Sequence, residues 1–252
     1  MSAIRVTDML GGKLVRIALS RPDRLNAMDL PMLRECEQAI RDAEVRRPRA
    51  IVIDGEGKAF SAGGDLTLDP EALGALASQF HVCVGLLAAS PAAVVTLVRG
   101  AAAGGGFALA IAGDLRIGTP EARFRIGYGR VGLSVDGGIS WRLPRLVGLA
   151  QAERLLLEDP DVDAAEAVRL GLLHRVIEPR QVAQTMEDLV KRLELQARGS
   201  VARNKSLLAS SLEGTLAEAL VREQKAMAEG AGSADGREGM AAFREKRGAK
   251  FS

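Results

Sequence analysis

Residues 104–112, Gly-Gly-Gly-Phe-Ala-Leu-Ala-Ile-Ala, carry no charged or polar side chain. A helix that is apolar on every side belongs in the middle of a core. The glycines at its start cost helix propensity, so something there must need a bare backbone. The rest of the chain has to be arranged around this segment. Its 252 residues suffice for one large domain, with or without a small appendage.

The flanking pattern is an alternation of strands and helices. Residues 4–6 and 14–19 read as strands of a hairpin, with Gly11-Gly12 supplying the turn. Asp29 is placed to cap a helix with Pro31 in its first turn and Leu33, Cys36 and Ile40 on one face. Residues 50–54 and 94–98 have the composition of buried strands, with a helix over about 71–89 between them. Short strands over 114–117 and 124–126 continue an alternation that runs to about Ile177, which predicts an α/β fold. From Gln181 the pattern turns helical. Residues 230–236 look like a flexible break, after which Asp235 could cap a last helix ending near Phe243. This divides the chain into a core over 1–190 and a helical region over 191–252, too small to bury much by itself.

Composition excludes several classes of function. The chain has 34 Lys and Arg against 32 Asp and Glu and only 3% aromatics, so it offers neither a basic field nor a stacking platform for nucleic acid. Cys36 and Cys83 could pair, but one possible bridge says little about an oxidising compartment. With His81 and His174 as the only histidines, a metal site is not expected. The uncharged run 82–98 is broken by Pro91 and is short for a membrane span. Residues 1–7 lack the apolar stretch of a signal peptide, so the expected location is the cytoplasm.

Glycines before a helix first suggest phosphate binding. A dinucleotide fingerprint starting at Gly104 needs its third glycine within 107–109, where none stands, and no lysine follows as in a P-loop. Two glycine segments remain, 59–66 (Ala-Phe-Ser-Ala-Gly-Gly-Asp-Leu) and 101–108 (Ala-Ala-Ala-Gly-Gly-Gly-Phe-Ala). Each can expose a backbone N–H, and two such donors converging on one oxygen make an oxyanion hole, reinforced where a helix begins. Taken singly, each segment is better explained by a tight turn or close helix packing; together, in order and at this separation, they are specific.

Together with residues 18–27 (Ala-Leu-Ser-Arg-Pro-Asp-Arg-Leu-Asn-Ala) and 143–148 (Leu-Pro-Arg-Leu-Val-Gly), these segments resemble the enoyl-CoA hydratase/isomerase (crotonase) family over almost the whole chain. The resemblance implies a crotonase-like spiral of repeated ββα units with a C-terminal helical trimerisation region, forming a trimer or a dimer of trimers. It implies an acyl-CoA thioester as substrate, with coenzyme A present only as part of it and no separate cofactor or metal. The thioester oxygen maps to the N–H groups of Gly64 and Gly105. The coenzyme A site maps to Arg24, Leu25, Ser61, Ala62, Gly64, Asp65 and Leu66, with Arg24 as the phosphate partner. Asp65 would anchor the oxyanion loop, and Lys246 and Arg247 could reach coenzyme A bound to a neighbouring subunit. Residues 66–80 and the C-terminal helices would build the acyl pocket.

Two glutamates that hydrate enoyl-CoAs in this family map to Ala108 and Tyr128, neither of which is an acid. One carboxylate remains at a matched position, Asp136, where isomerases of the family carry an acting Asp; read alone, its Asp-Gly-Gly context also suits a turn. Tyr128 is either a hydrogen-bond partner of substrate or Asp136, or filler for a missing glutamate, and filling is favoured. His81 and His174 read as structural. The expected activity is an acyl-CoA isomerase that shifts a double bond or opens a ring, with Asp136 as proton shuttle and Tyr128 beside it. An enoyl-CoA hydratase, or a binding protein without chemistry, is the alternative.

Overall fold

The computed structural model describes residues 2–252. β1 (Ile4–Met9) and β2 (Leu14–Leu19) form the expected antiparallel hairpin. α1 (Leu30–Val45) starts where Asp29 accepts a hydrogen bond from the Met32 N–H at 2.9 Å, and it buries Leu33, Cys36 and Ile40. Three strand–strand–helix turns follow. They are β3 (Ala50–Gly55), β4 (Ala59–Ser61) and α2 (Leu73–Ala89); β5 (Ala93–Val98), β6 (Ala101–Ala103) and α3 (Gly105–Ile111); and β7 (Leu115–Gly118), β8 (Arg123–Arg125) and α4 (Ile139–Val147). The chain then forms α5 (Leu149–Glu158), β9 (Val162–Asp163), α6 (Ala164–Leu170) and β10 (Arg175–Val176), and ends in α7 (Val182–Glu194), α8 (Arg198–Ala209), α9 (Leu216–Gly232) and α10 (Ala234–Arg244).

The first strand of each turn joins a six-stranded sheet in the order β1-β2-β3-β5-β7-β10, and the second joins a four-stranded sheet, β4-β6-β8-β9. This is the expected spiral of ββα units. The sequence pattern did not show β4 and β6 as strands, because three residues are too few to display a period of two.

α3 is central, as its composition requires: every residue from Gly105 to Ile111 is buried. Its glycines serve close packing: a side chain on Gly106 would run into the Ser61 carbonyl of β4. The segment Pro70–Ala89 is long and apolar enough to cross a bilayer by length and composition alone. In this fold Leu76, Phe80, Cys83 and Leu87 within it are buried in the main core. Cys36 and Cys83 are free thiols, and Cys83 donates to the Leu33 carbonyl.

The boundary expected between residues 190 and 191 falls inside α7, whose Met186, Val190 and Leu193 fill a second core cluster beside the six-stranded sheet. Beyond it, neither α8 nor α9 buries a residue within the chain. Lys205 of α8 ties this tail to the body, donating to the carbonyls of Ser90 (2.8 Å) and Ala92 (2.7 Å) and pairing with Asp114. The expected flexible break is a single residue, Ser233, and Ser233 rather than Asp235 caps α10, accepting from the Gly236 N–H.

Candidate active site

Strands β4, β6 and β8 lie side by side and parallel, so the loops leaving their carboxyl ends meet in one place. That end of a parallel sheet is where ligands gather in α/β proteins. The loop after β4 carries Gly63 and Gly64, β6 leads into Gly104 and Gly105, and β8 leads into Tyr128.

The Gly64 N–H has no hydrogen-bond partner among the described residues, and Gly105 opens α3, where an N–H has no intrahelical acceptor. The two stand together: a Cβ on Gly105 would lie 3.6 Å from the Gly64 nitrogen. It would also lie 2.9 Å from Met28 Cε, so a side chain there presses on Met28.

The loop that presents Gly64 is held from below. Asn26, fully buried, accepts from the Arg21 N–H and donates to the Ala59 carbonyl at 2.8 Å. Ser61 donates to the Asn26 carbonyl and accepts from the Gly63 N–H. Asp65 accepts from the Thr67 hydroxyl and N–H, which holds its carboxyl below the usual range, and Arg21 and Arg24 stand within 4 Å of it. Ser61 and Asp65 are buried and support the loop from behind the cavity, whereas Ala62, Gly64 and Leu66 line it. Arg24 and Leu25 are exposed near the loop's outer side. Asn26 was not assigned a role from the sequence, because its positive φ and its bonds to the carbonyls of Glu56, Ala59 and Phe60 are set by the fold.

In front of the two glycines lies a cavity of about 470 Å³. Met28, Leu33, Leu66, Leu73, Leu76, Phe80, Val131 and Leu133 supply its apolar wall, and Tyr128, Ser134 and Asp136 its polar side chains. Residues 66–80 thus contribute as expected. The other wall is the loop after β8, and no residue of α7–α10 lines the cavity, contrary to the expectation for the C-terminal helices.

Asp136 is the one charged lining residue among the described residues, and its side chain is 26% exposed. The Tyr128 hydroxyl donates to its Oδ1, which corrects the reading of Tyr128 as filler. Burial first, then this bond to the carboxylate, pushes the phenol far above its ordinary range, so Tyr128 stays protonated. His81, read as structural, projects from α2 to the same carboxylate: Nε2 accepts from the Gly137 N–H at 3.2 Å and stands 3.9 Å from Asp136 Oδ2. Helical spacing says which face His81 occupies, but nothing in it marks a carboxylate from a later turn. His174 is structural as expected, accepting from the Arg116 N–H.

Gly137 closes the site from behind. It has φ +59°, and a side chain on it would run into Phe80 and come within 2.7 Å of Ala108 Cβ. Ala108 is itself fully buried and does not line the cavity. The turn after Asp136 therefore packs against Ala108 closely enough that position 137 has no room for a side chain.

A family model described as enoyl-CoA hydratase/isomerase matches residues 11–252. The 1,2-epoxyphenylacetyl-CoA isomerase of Escherichia coli is 34% identical over 94% of both chains. The short-chain-enoyl-CoA hydratase of Clostridium acetobutylicum is 31% identical, over 94% of this chain and 93% of its own. The crystal structure of an enoyl-CoA hydratase from Polaromonas sp. JS666 superposes with a TM-score of 0.90 at 31% identity over 99% of each chain.

Proposed function

The chain belongs to the enoyl-CoA hydratase/isomerase family, and on that premise we propose that it isomerises an unsaturated acyl-CoA by moving one proton. The thioester oxygen sits between the N–H groups of Gly64 and Gly105. A C–H bond near the thioester breaks, its electron pair passes into the enolate on that oxygen, and Asp136 takes the proton. The carboxyl then returns it to a different carbon of the same chain or ring. No atom is gained or lost, and the shuttle as written uses no metal or redox partner. One carboxylate suffices because the base and acid roles follow each other.

The observation that carries this reading is the solitary Asp136, bonded by Tyr128, in one cavity with Gly64 and Gly105, with Ala108 and Tyr128 where the family's two glutamates would stand. Hydration needs a water both deprotonated and split across two carbons, for which two acids are the ordinary equipment.

Ultraviolet absorbance tests it. Incubated with the protein, a 3-enoyl-CoA is expected to gain the absorbance of a conjugated thioester. Loss of absorbance from a 2-enoyl-CoA, with no gain from the 3-enoyl isomer, would instead make the chain a hydratase, and no change with either would leave binding alone. Asp136→Asn is expected to lower kcat by about 10² or more while leaving the Kd for an acyl-CoA close to the parent's.

A further inference from the structure

Resting on the acyl-CoA reading above, we propose that the acyl group is an uncharged hydrocarbon bulkier than a four-carbon chain, and that Gly74 sets the largest group admitted. Among the described residues the cavity offers no cation: their one charged lining residue is Asp136, an acid. The nearby cations are engaged elsewhere. Arg130 pairs with Asp159 at 2.5 Å in the adjoining cleft, and Arg24 leans toward Asp65 at 3.8 Å. A carboxylate or phosphate at the end of the acyl group would enter an apolar wall unpaired and face a like charge, which binding energy does not recover. A cavity of about 470 Å³ falls in the range of pockets that enclose whole small molecules, roughly 300–1,000 Å³, and exceeds what a four-carbon acyl group fills.

Gly74 sits in the first turn of α2, on the stretch that also gives the cavity Leu73, Ala77 and Phe80. Its backbone does not require glycine, because no left-handed φ is present, and a Cβ built there meets nothing within 4 Å. Alanine would be better for the helix by about 1 kcal/mol. What the missing side chain leaves is open volume at the cavity rim, beside Leu73 and Ala77. A leucine at 74 fits the fold and takes space from the ligand.

The test uses saturated, unreactive thioesters titrated calorimetrically into the intact protein: butyryl-, octanoyl-, phenylacetyl- and glutaryl-CoA, with free coenzyme A as reference. Octanoyl- and phenylacetyl-CoA are expected to bind at least tenfold tighter than butyryl-CoA, and glutaryl-CoA no tighter than coenzyme A. Gly74→Leu is expected to melt no lower than the parent and to reduce the octanoyl-to-butyryl affinity ratio tenfold or more, with Gly74→Ala in between. Glutaryl-CoA binding as tightly as octanoyl-CoA, or an unchanged ratio in Gly74→Leu, overturns the inference while the acyl-CoA reading stands. If no acyl-CoA binds more tightly than coenzyme A, both fall.

Discussion

Tyr128 donates to Asp136 across a short loop that folds back on itself, and that bond decides what each can do. Since the phenol stays protonated, Tyr128 is a donor that fixes one carboxylate oxygen; in the proposed shuttle the other is left for the proton in transit. A hydrogen bond to a charged group contributes about 1.5–3 kcal/mol, so Tyr128→Phe should lower kcat by roughly 10- to 100-fold with KM near the parent's. A raised KM with kcat intact would make the ring a wall and nothing more. At Gly105 the expectation is steeper. A valine there displaces Met28 and stands over the Gly64 nitrogen, so activity should fall by about 10² to 10³, as on losing an oxyanion donor. Ala108→Gly, compared at equal folded fraction by thermal melts, should cost mainly stability, about 1 kcal/mol. The glycines and Asp136 were legible in the sequence because their spacing and family match are properties of the chain itself. The contacts of Tyr128 and His81 with Asp136 were not, since each depends on where separate turns of the spiral come to rest.

At the scale of elements, buried strands and amphipathic helices announce themselves by composition and period, and β3, β5, α1 and α2 lie within a few residues of the expected positions. β4 (Ala-Phe-Ser) and β6 (three alanines) escape because each is only three residues and is made a strand by its neighbours. The last helix shows a different limit: Ser233 and Asp235 are both good caps, and only the chain's direction there chooses Ser233. The same helix carries a pH-sensitive clasp. Glu238 of α10 accepts from Arg247 at 2.6 and 2.9 Å and from the Lys250 N–H at 2.8 Å, and the Arg247 bonds, first, hold its carboxyl down at about 2. A carboxyl lower in the folded chain than in the unfolded one stabilises above the unfolded value, and that contribution fades as pH falls from about 4.5 through about 2. The Lys250 amide should therefore lose hydrogen-exchange protection over that window, and Glu238→Gln should remove the pH dependence. Protection unchanged down to pH 2 would mean the tail is held by something else. Arg247, expected to reach a neighbour's coenzyme A, is committed here to Glu238 and Glu245, while Lys246 beside it is exposed.

For the molecule as a whole, the α/β class followed from the alternation of strands and helices and the spiral from the family resemblance, whereas no pattern in the tail says what covers it. α8 and α9 bury nothing internally, and Leu216 (76% exposed), Val221, Met227 and Phe243 (85% exposed) stand in the open. So many large apolar side chains on two helices are seldom all left to water. At about 25 cal/mol per Å² removed from water, covering these side chains would offset the ordering of helices that gain little from their own core. We propose that other copies of the same chain cover them, as a trimer or a dimer of trimers. Sedimentation at micromolar concentration should then show three or six chains. Leu216→Glu combined with Phe243→Glu should shift the protein toward monomer and lower its melting temperature, since the tail loses cover while the spiral keeps its own core. Both residues lie away from the cavity, so a monomeric variant that still binds an acyl-CoA would separate assembly from the site. A parent protein that sediments as a monomer would leave the apolar tail for some other partner and end the proposal.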